Sequence, residues 1–327
     1  MNNFYMKDCD PGIINVSVAI CTWNRARLLE KTLESFLNLR IPEGVSWELL
    51  LVNNACTDDT DQVAEKFIGK LPLVLCHESK PGKSNAHNYA IANAKGEFIL
   101  WTDDDVRVDS GWLTETLKAF DIYKADLVYG KILPWWEEAP PIWYSEKTAG
   151  IFACIDYGPE PFVVTEQEYA AFGPNMAMRL EAFRKLGGYS NEVSIVGNSG
   201  IGGEDLEMFY RFMDHGMRVV YTPYSVVEHF ISKVRCTKSI HRSRTWAGSH
   251  NNFKLLQIQK SNAPHILSLP RYYYSMNINN LWRYLAAVCR RNSSEAFFYE
   301  LKMIRFLGLL WHALRNNFQK KKNNHTL

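Results

Sequence analysis

Three consecutive carboxylates, Asp103, Asp104 and Asp105, stand directly behind the apolar run Phe98-Ile-Leu-Trp101-Thr102. Acids crowded at the end of a buried strand repel one another and cost stability unless a cation neutralises them. A hard divalent ion with oxygen ligands, Mg2+ or Mn2+, suits such a group and can also hold a diphosphate. The competing reading is a solvated acidic turn that caps the helix expected from Gly111, because short acidic motifs also arise by chance. A second pair, Glu204-Asp205, follows Gly202-Gly203 and opens a helix running to His215. Acids at a helix N-terminus are favoured by the macrodipole, so capping alone accounts for them. The preceding Gly197-Asn-Ser-Gly-Ile-Gly-Gly203 weakens that account, since so many glycines suit a moving loop or a close backbone approach to a ligand. Glu228-His229 ends the run Val226-Val227; a lone histidine is more often structural, yet imidazole is the commonest metal ligand. Thr22, Asn24 and Arg25, with Asn53 and Asn54, close the first two apolar runs. They could read a base and bind phosphate, or simply form Asx turns.

These residues need elements to hold them. Val16–Thr22 is a short apolar run that reads as a buried strand, followed by leucines and Phe36 at helical spacing from Arg27 to Leu39. Strands are expected at Trp47–Val52, Leu73–Cys76, Phe98–Trp101 and Leu127–Tyr129, with helices at Asp58–Phe67, Ser84–Ala94 and Gly111–Tyr123 between them. Such alternation implies right-handed crossovers and a mostly parallel sheet with helices on both faces. Ligands bind such sheets at the carboxyl ends of the strands, where the polar groups above lie. The later part is less regular. Trp135 to Tyr169 reads as a long loop, Asn175–Met178 as a strand, Glu181–Leu186 as a short helix and Glu204–His215 as an amphipathic one. Val219–Tyr221 and Val226-Val227 finish the core. From Ser232 the composition turns to Lys, Arg, His and aromatics, and helices are expected. A catalytic domain over 1–231 and a helical region over 232–327 follow.

The bulk composition excludes several classes. At 327 residues and 46% hydrophobic, the chain can bury a full core and a second small one. Lys and Arg number 37 against 35 Asp and Glu, a balance that argues against a nucleic-acid partner. The seven cysteines form no Cys-x-x-Cys, so neither a zinc knuckle nor a disulfide scaffold is suggested, and a reducing compartment fits. Cys21 and Cys76 read as small buried hydrophobes. Met1 to Pro11 lack an apolar stretch behind a basic start, so no cleaved signal peptide is expected. No run of about 18 apolar residues suggests a spanning helix.

Taken in order, Val18-Ala-Ile-Cys-Thr22-Trp-Asn-Arg25, Leu51-Val-Asn-Asn-Ala-Cys-Thr-Asp58, Gly82-Lys-Ser-Asn-Ala-His-Asn88, Ala94-Lys-Gly-Glu97 and Asp103-Asp-Asp105 resemble the family 2 glycosyltransferases of the GT-A fold. Gly202-Gly-Glu-Asp205 and Val227-Glu-His229 continue the resemblance, which covers residues 14 to 235. It implies that Thr22, Asn24 and Arg25 line a nucleotide pocket. Asn53 stands where the family usually has an Asp that contacts the base. Lys83 and Asn88 fall in the segment that closes over the nucleotide and sugar. Asp103 would approach the ribose or the metal, with Asp104 beside it, and Asp105 would bind the metal that bridges the diphosphate. Asp205 matches the usual base, with Glu204 next to it, and His229 can complete the metal's coordination.

The implied reaction is an inverting single displacement: a glycan or lipid-linked acceptor hydroxyl, deprotonated by Asp205, attacks the anomeric carbon of a nucleotide-diphosphate sugar. Surface polysaccharide or glycoconjugate synthesis is the expected setting. A nucleotidyltransferase would share the sheet and the acids but would not need the Gly202-to-Asp205 loop; an inactive binding module would have lost acids that this chain keeps. Trp135, Trp136, Trp143 and Tyr144 could stack on acceptor sugars or pack the loop. Apolar and aromatic residues interleaved with Arg and Lys, from Leu281 to Lys322, suit helices lying on the inner face of the cell membrane. A helical cap on the catalytic sheet or a dimer contact is the alternative.

Overall fold

Val16–Thr22 (β1) is apolar on both faces, so it can only be a central strand, and it is buried along nearly its whole length. Parallel to it lie Trp47–Asn53 (β2) on one side and Phe98–Asp103 (β4) on the other, with Leu73–His77 (β3) beyond β2. The connections are Ala26–Phe36 (α1), Thr60–Glu65 (α2) and Lys83–Asn93 (α3). Leu29, Leu33 and Phe36 of α1 are buried at the spacing of one helical face. The computed structural model describes residues 14–190, 203–258 and 263–324, and the chain forms two units. The first holds residues up to 135, with 153–190 and 204–230; the second holds 136–152, 203 and 231–324.

Within the first unit, Val106–Val108 (β5) and Trp112–Tyr123 (α4) follow the acidic turn. Leu127–Trp136 (β6), Phe162–Val163 (β7), Met176–Arg179 (β8), Leu180–Lys185 (α6), Glu204–Asp214 (α7) and Val219–Ile231 (β9) complete its elements; the short helix Glu146–Ala149 (α5) belongs to the second unit. The sheet order is β3-β2-β1-β4-β8-β6-β9-β5, with β7 on β9. The expected alternating, parallel first half is present, and the later strands β8, β5 and β7 join antiparallel. β9 is continuous from Val219 to Ile231, with β6 as one neighbour; β7 pairs with it at Val220 and Tyr221 and β5 at Val227 to His229, so Pro223 falls between the β7 and β5 ladders.

Val18, Ile20, Leu49, Leu51 and Leu100 lie at the centre of a core that also takes in Trp101, Trp112, Phe120 and Phe209. Each such side chain contributes roughly 1.5–3 kcal/mol by leaving water. Asn175 is a buried polar hub: it accepts from the Trp112 indole (2.8 Å) and donates to the carbonyls of Lys131 and Ser225. It therefore fixes α4, β6 and β9 together, and all its groups are satisfied.

The second unit is helical, as the composition of its sequence implies. Lys238–Ile258 (α8), Tyr272–Cys289 (α9) and Ser293–Asn324 (α10) form it, with the small ladder of His265-Ile266 (β10) and Leu269-Pro270 (β11). α10 packs on both α8 and α9. The expected long loop from Trp135 partly belongs here: Trp143 is buried against Phe152, His241 and Phe297. That residue packs the unit rather than offering a sugar-stacking face. The six described cysteines are free thiols, and Cys21 and Cys76 are half-buried rather than fully so. The glycine-rich stretch 197–202 and the first 13 residues, on which the loop and leader expectations fall, lie outside the described residues.

Candidate active site

The acidic turn is built by its neighbours. Thr32 on α1 is fully buried; its hydroxyl donates to the Asp104 carbonyl (2.9 Å) and accepts from the Val106 N–H (3.1 Å). Ser35, nearly one turn on, accepts from Val108. Helix α1 thus grips both sides of the turn through hydroxyls that its amphipathic pattern does not advertise. Beyond the turn, β5 pairs antiparallel with β9, which sets Val106 opposite His229, and the Phe230 N–H donates to the Asp105 carbonyl. That register carries His229 Nε2 to 3.4 Å from Asp105 Oδ1, with both groups buried.

The three acids part company. Asp104 turns to Thr22 (2.8 Å) and to Arg25 (3.0 Å). Burial pushes its carboxyl up to about 6; Arg25 pulls against that shift and Asp105 adds to it. Arg25 also donates to Asp105 Oδ2 at 2.8 Å, and Asp104 and Asp105 hold its guanidinium charged against burial. Asp103 faces Lys83, whose Nζ is 3.3 Å away. The same ammonium lies 3.4 Å from Asp205 Oδ2 and 4.0 Å from Glu204 Oε1. Burial opposes the Lys83 charge, but Asp103, Asp205 and Glu204 outweigh it and raise the amine well above its usual value. One lysine at the start of α3 therefore joins the strand-end acids to those at the start of α7.

Asp205 is held from three directions. Burial raises its carboxyl, Asp103 adds to the rise, and Lys83 with the Gly173 backbone N–H pulls it back. Its Oδ1 is buried and has no hydrogen-bond partner among the described residues, an arrangement that costs about 1–3 kcal/mol unless a ligand supplies the donor. A Cβ on Gly173 would lie 2.3 Å from Asp205 Oδ2, so only glycine admits the carboxylate there. Arg211 anchors the helix behind it, pairing with Glu207 one turn away and donating to the carbonyls of Leu186 (2.6 Å) and Gly188 (2.8 Å).

Several of the residues expected to line a nucleotide pocket make contacts within the chain. Asn24 adopts φ 54° and accepts from the Thr57 N–H (2.7 Å), pinning the turn after β2. Asn53 donates to Asp61 (2.7 Å) and accepts from the Cys56 N–H, and Asp61 in turn lies 3.0 Å from His77. Asn88 clamps the backbone of Tyr189 in both directions rather than presenting its amide outward. Sequence reasoning missed Gly173, Arg211, Asp61, His77 and Tyr189. Only Arg211 carried a signal, as the basic partner four residues after Glu207. Trp135, expected among sugar-stacking or loop residues, lies beneath the Arg107 guanidinium at 3.5 Å.

Asp103, Asp105 and His229 each offer one ligand atom, all within 4.8 Å of one another. Two carboxylate oxygens and an imidazole fit a six-coordinate divalent ion, and the nitrogen favours Mn2+ over Mg2+. Asp103, Asp104, Asp105, Glu204 and Asp205 gather around Lys83 and Arg25, with His229 beside Asp105.

Comparison with known proteins gives the same direction. The family profile described as Glycosyl transferase family 2 matches residues 17–187, and that described as the N-terminal domain of galactosyltransferase matches 161–234. The succinoglycan biosynthesis protein ExoM of Rhizobium meliloti (strain 1021) is 23% identical over 74% of this chain and 75% of its own. The pre-mycofactocin glycosyltransferase of Mycobacterium tuberculosis is 26% identical over 67% of this chain but 43% of its own length. Among solved structures, the mannosyltransferase PcManGT of Pyrobaculum calidifontis, in complex with GDP-Man and Mn2+, has a TM-score of 0.56 at 16% identity, covering 93% of this chain and 90% of that one. TarS 1-349 of S. aureus, in complex with UDP-GlcNAc, has a TM-score of 0.55 at 15% identity, covering 88% and 90%. These likenesses fix the fold as GT-A.

Proposed function

This chain belongs to glycosyl transferase family 2, and from its site we propose a metal-dependent, inverting transfer of sugar from a nucleotide-diphosphate sugar to an acceptor hydroxyl. The observation that carries the reading is the junction at Lys83. It brings a strand-end acid suited to the donor within one side chain of a buried carboxylate suited to be the base. Asp205 takes the proton of the acceptor hydroxyl as the oxygen attacks the anomeric carbon, a role supported by its buried Oδ1, which has no hydrogen-bond partner among the described residues. Burial raises that carboxyl and Lys83 pulls against the rise, favouring the ionised form. Thr22, Asn24, Arg25 and Asn53 shape the nucleotide end of the site, Asp104 braces Arg25, and Asn88 holds the Gly188-Tyr189 turn over the sugar end. Asp103, Asp105 and His229 would hold Mn2+ or Mg2+, which when bound supplies positive charge to the departing diphosphate.

The names of the relatives support a glycan or lipid-linked acceptor in surface polysaccharide or glycoconjugate synthesis. None of the described helices is long and apolar enough to cross a membrane, so the location we propose is peripheral, on the inner face of the cell membrane through the C-terminal helices. A panel of nucleotide-sugars with Mn2+, read for release of free nucleoside diphosphate, tests the transfer. Pyrophosphate release would replace it with nucleotidyl transfer, and no turnover with any donor across a range of acceptors would leave a binding module.

A further inference from the structure

Charge is divided unevenly along this chain. Residues 1–228 hold 20 Lys and Arg against 33 Asp and Glu, a formal −13, whereas residues 229–327 hold 17 against two, a formal +15. Between His229 and Ser294 there is no acidic side chain at all. Helix α9 lies inside that stretch and has two stripes. One, with Asn280 and Ala287 buried, faces α10; the other is exposed and apolar. Ile278, Leu281, Leu285 and Val288 follow at three- and four-residue intervals, with Trp282 beside them. Ile278 is 60% and Trp282 67% exposed, which is unusual for side chains of this size grouped on one helix. Exposed Arg271 and Arg290 stand at the two ends of the helix, Arg290 3.7 Å from Glu295 of α10, while Arg283 turns to the Tyr299 hydroxyl of α10.

We propose that this outer face of α9 docks on an anionic lipid bilayer, with Trp282 and the Ile278-Leu281-Leu285 stripe in the headgroup boundary and the arginines on lipid phosphates. The proposal names the surface for the peripheral membrane contact put forward above and rests on that contact. An apolar stripe on a helix that carries cations and no acid of its own is the pattern an interfacial helix needs. The charge pattern disfavours a second copy as the occupant. A two-fold contact would lay two copies of a region of formal +15 against one another, with Glu295 and Glu300 its two acids and both already paired within the chain. Nucleic acid would use the cations and leave the exposed aliphatic groups in water.

The test is co-sedimentation of the full chain with vesicles of phosphatidylcholine alone or with 30 mol% phosphatidylglycerol, across a salt series. Binding should require the anionic lipid and weaken with salt. Trp282→Gln combined with Leu285→Gln should lower the partition coefficient at least about tenfold. Arg271→Gln combined with Arg290→Gln should lower it by about tenfold or more on anionic vesicles only. All four side chains are exposed, so the thermal midpoint and the release of nucleoside diphosphate in vesicle-free solution should match the parent, which separates this proposal from the transferase chemistry. Failure of the parent chain to sediment with anionic vesicles at low salt would overturn both the membrane location and this surface. Parent binding that the α9 variants leave unchanged would overturn the surface alone. So would a parent dimer in sedimentation velocity that the Trp282 and Leu285 changes dissolve, or displacement from vesicles by duplex DNA that those changes do not alter.

Discussion

Replacing Gly173 with alanine perturbs the proposed base without touching its chemistry. The new Cβ would sit 2.3 Å from Asp205 Oδ2 and 2.8 Å from its Cγ. A carbon and an oxygen in ordinary contact are about 3.3 Å apart, so the carboxylate must retreat by about 1 Å. Misplacing a catalytic group by that distance costs about 100-fold in rate, or about 2.7 kcal/mol of barrier. The clash is with the free end of a side chain, so the fold should survive with a small change in thermal midpoint. Gly130→Ala is the contrasting control. There the Cβ meets the Ser225 backbone oxygen at 2.1 Å and Asn175 Nδ2 at 2.5 Å, atoms fixed in the sheet, so that variant should lose the fold itself. Initial rates of nucleoside diphosphate release, with the donor KM and a thermal melt, separate the cases. Gly173→Ala should lower kcat with donor KM nearly unchanged. A folded Gly173→Ala enzyme with the parent kcat would refute the placement of Asp205 at the reacting hydroxyl.

Asp105→Ala should abolish transfer with the fold intact, and EDTA should do the same to the parent; full activity in EDTA would remove the metal from the mechanism. Asp205→Asn keeps shape and removes the proton acceptor, so kcat should fall by about 10²–10⁴ with donor affinity retained; if Glu204→Gln is the dead variant instead, the two roles are exchanged. In the helical unit, burial among Trp143, Phe152 and Phe297 pushes the His241 imidazole down to about 4, although its bond to the Arg235 carbonyl works the other way. Between that value and the ordinary 6.5 the unfolded chain binds the extra proton. The stability from neutral His241 is therefore complete above pH 6.5 and lost as pH falls toward 4, by up to about 3 kcal/mol. Melting curves from pH 7 to 4.5 should show that slope, and His241→Phe should flatten it.

What could be read from sequence followed from how local the cause was. β1, β2 and β4 are short apolar runs ending in polar residues, and that pattern alone sets both their burial and the edge of the sheet where the acids emerge. Asp103, Asp105 and His229 were readable as ligands by type, and a single register, Val106 opposite His229, brings them together. The misses share a different origin. Gly173 matters only because a residue 32 positions later needs the room, and Thr32 only because a turn 72 positions later needs its hydroxyl. Neither leaves a trace in periodicity or composition. Pro223 likewise shows its missing N–H in the sequence, but not the gap between the β7 and β5 ladders into which it falls.

Two cations partition five carboxylates in this site, and the partition explains why the motifs must act together. Arg25 takes Asp104 and Asp105, so the turn after β4 is stitched to the end of β1 before any ligand arrives. Lys83 takes Asp103, Glu204 and Asp205, so the base is tied to the strand-end acids through one flexible side chain. Five carboxylates around two cations carry a formal negative excess, which burial makes costly. Within that group Asp104 turns to Thr22 and Arg25, whereas Asp103, Asp105 and His229 converge on one point. A divalent ion held at that point would offset the carboxylate repulsion that adds to burial in raising Asp104 and Asp205. Lys83, 3.3 Å from Asp103 and 3.4 Å from Asp205, is the group through which charge at the strand end would bear on the proposed base.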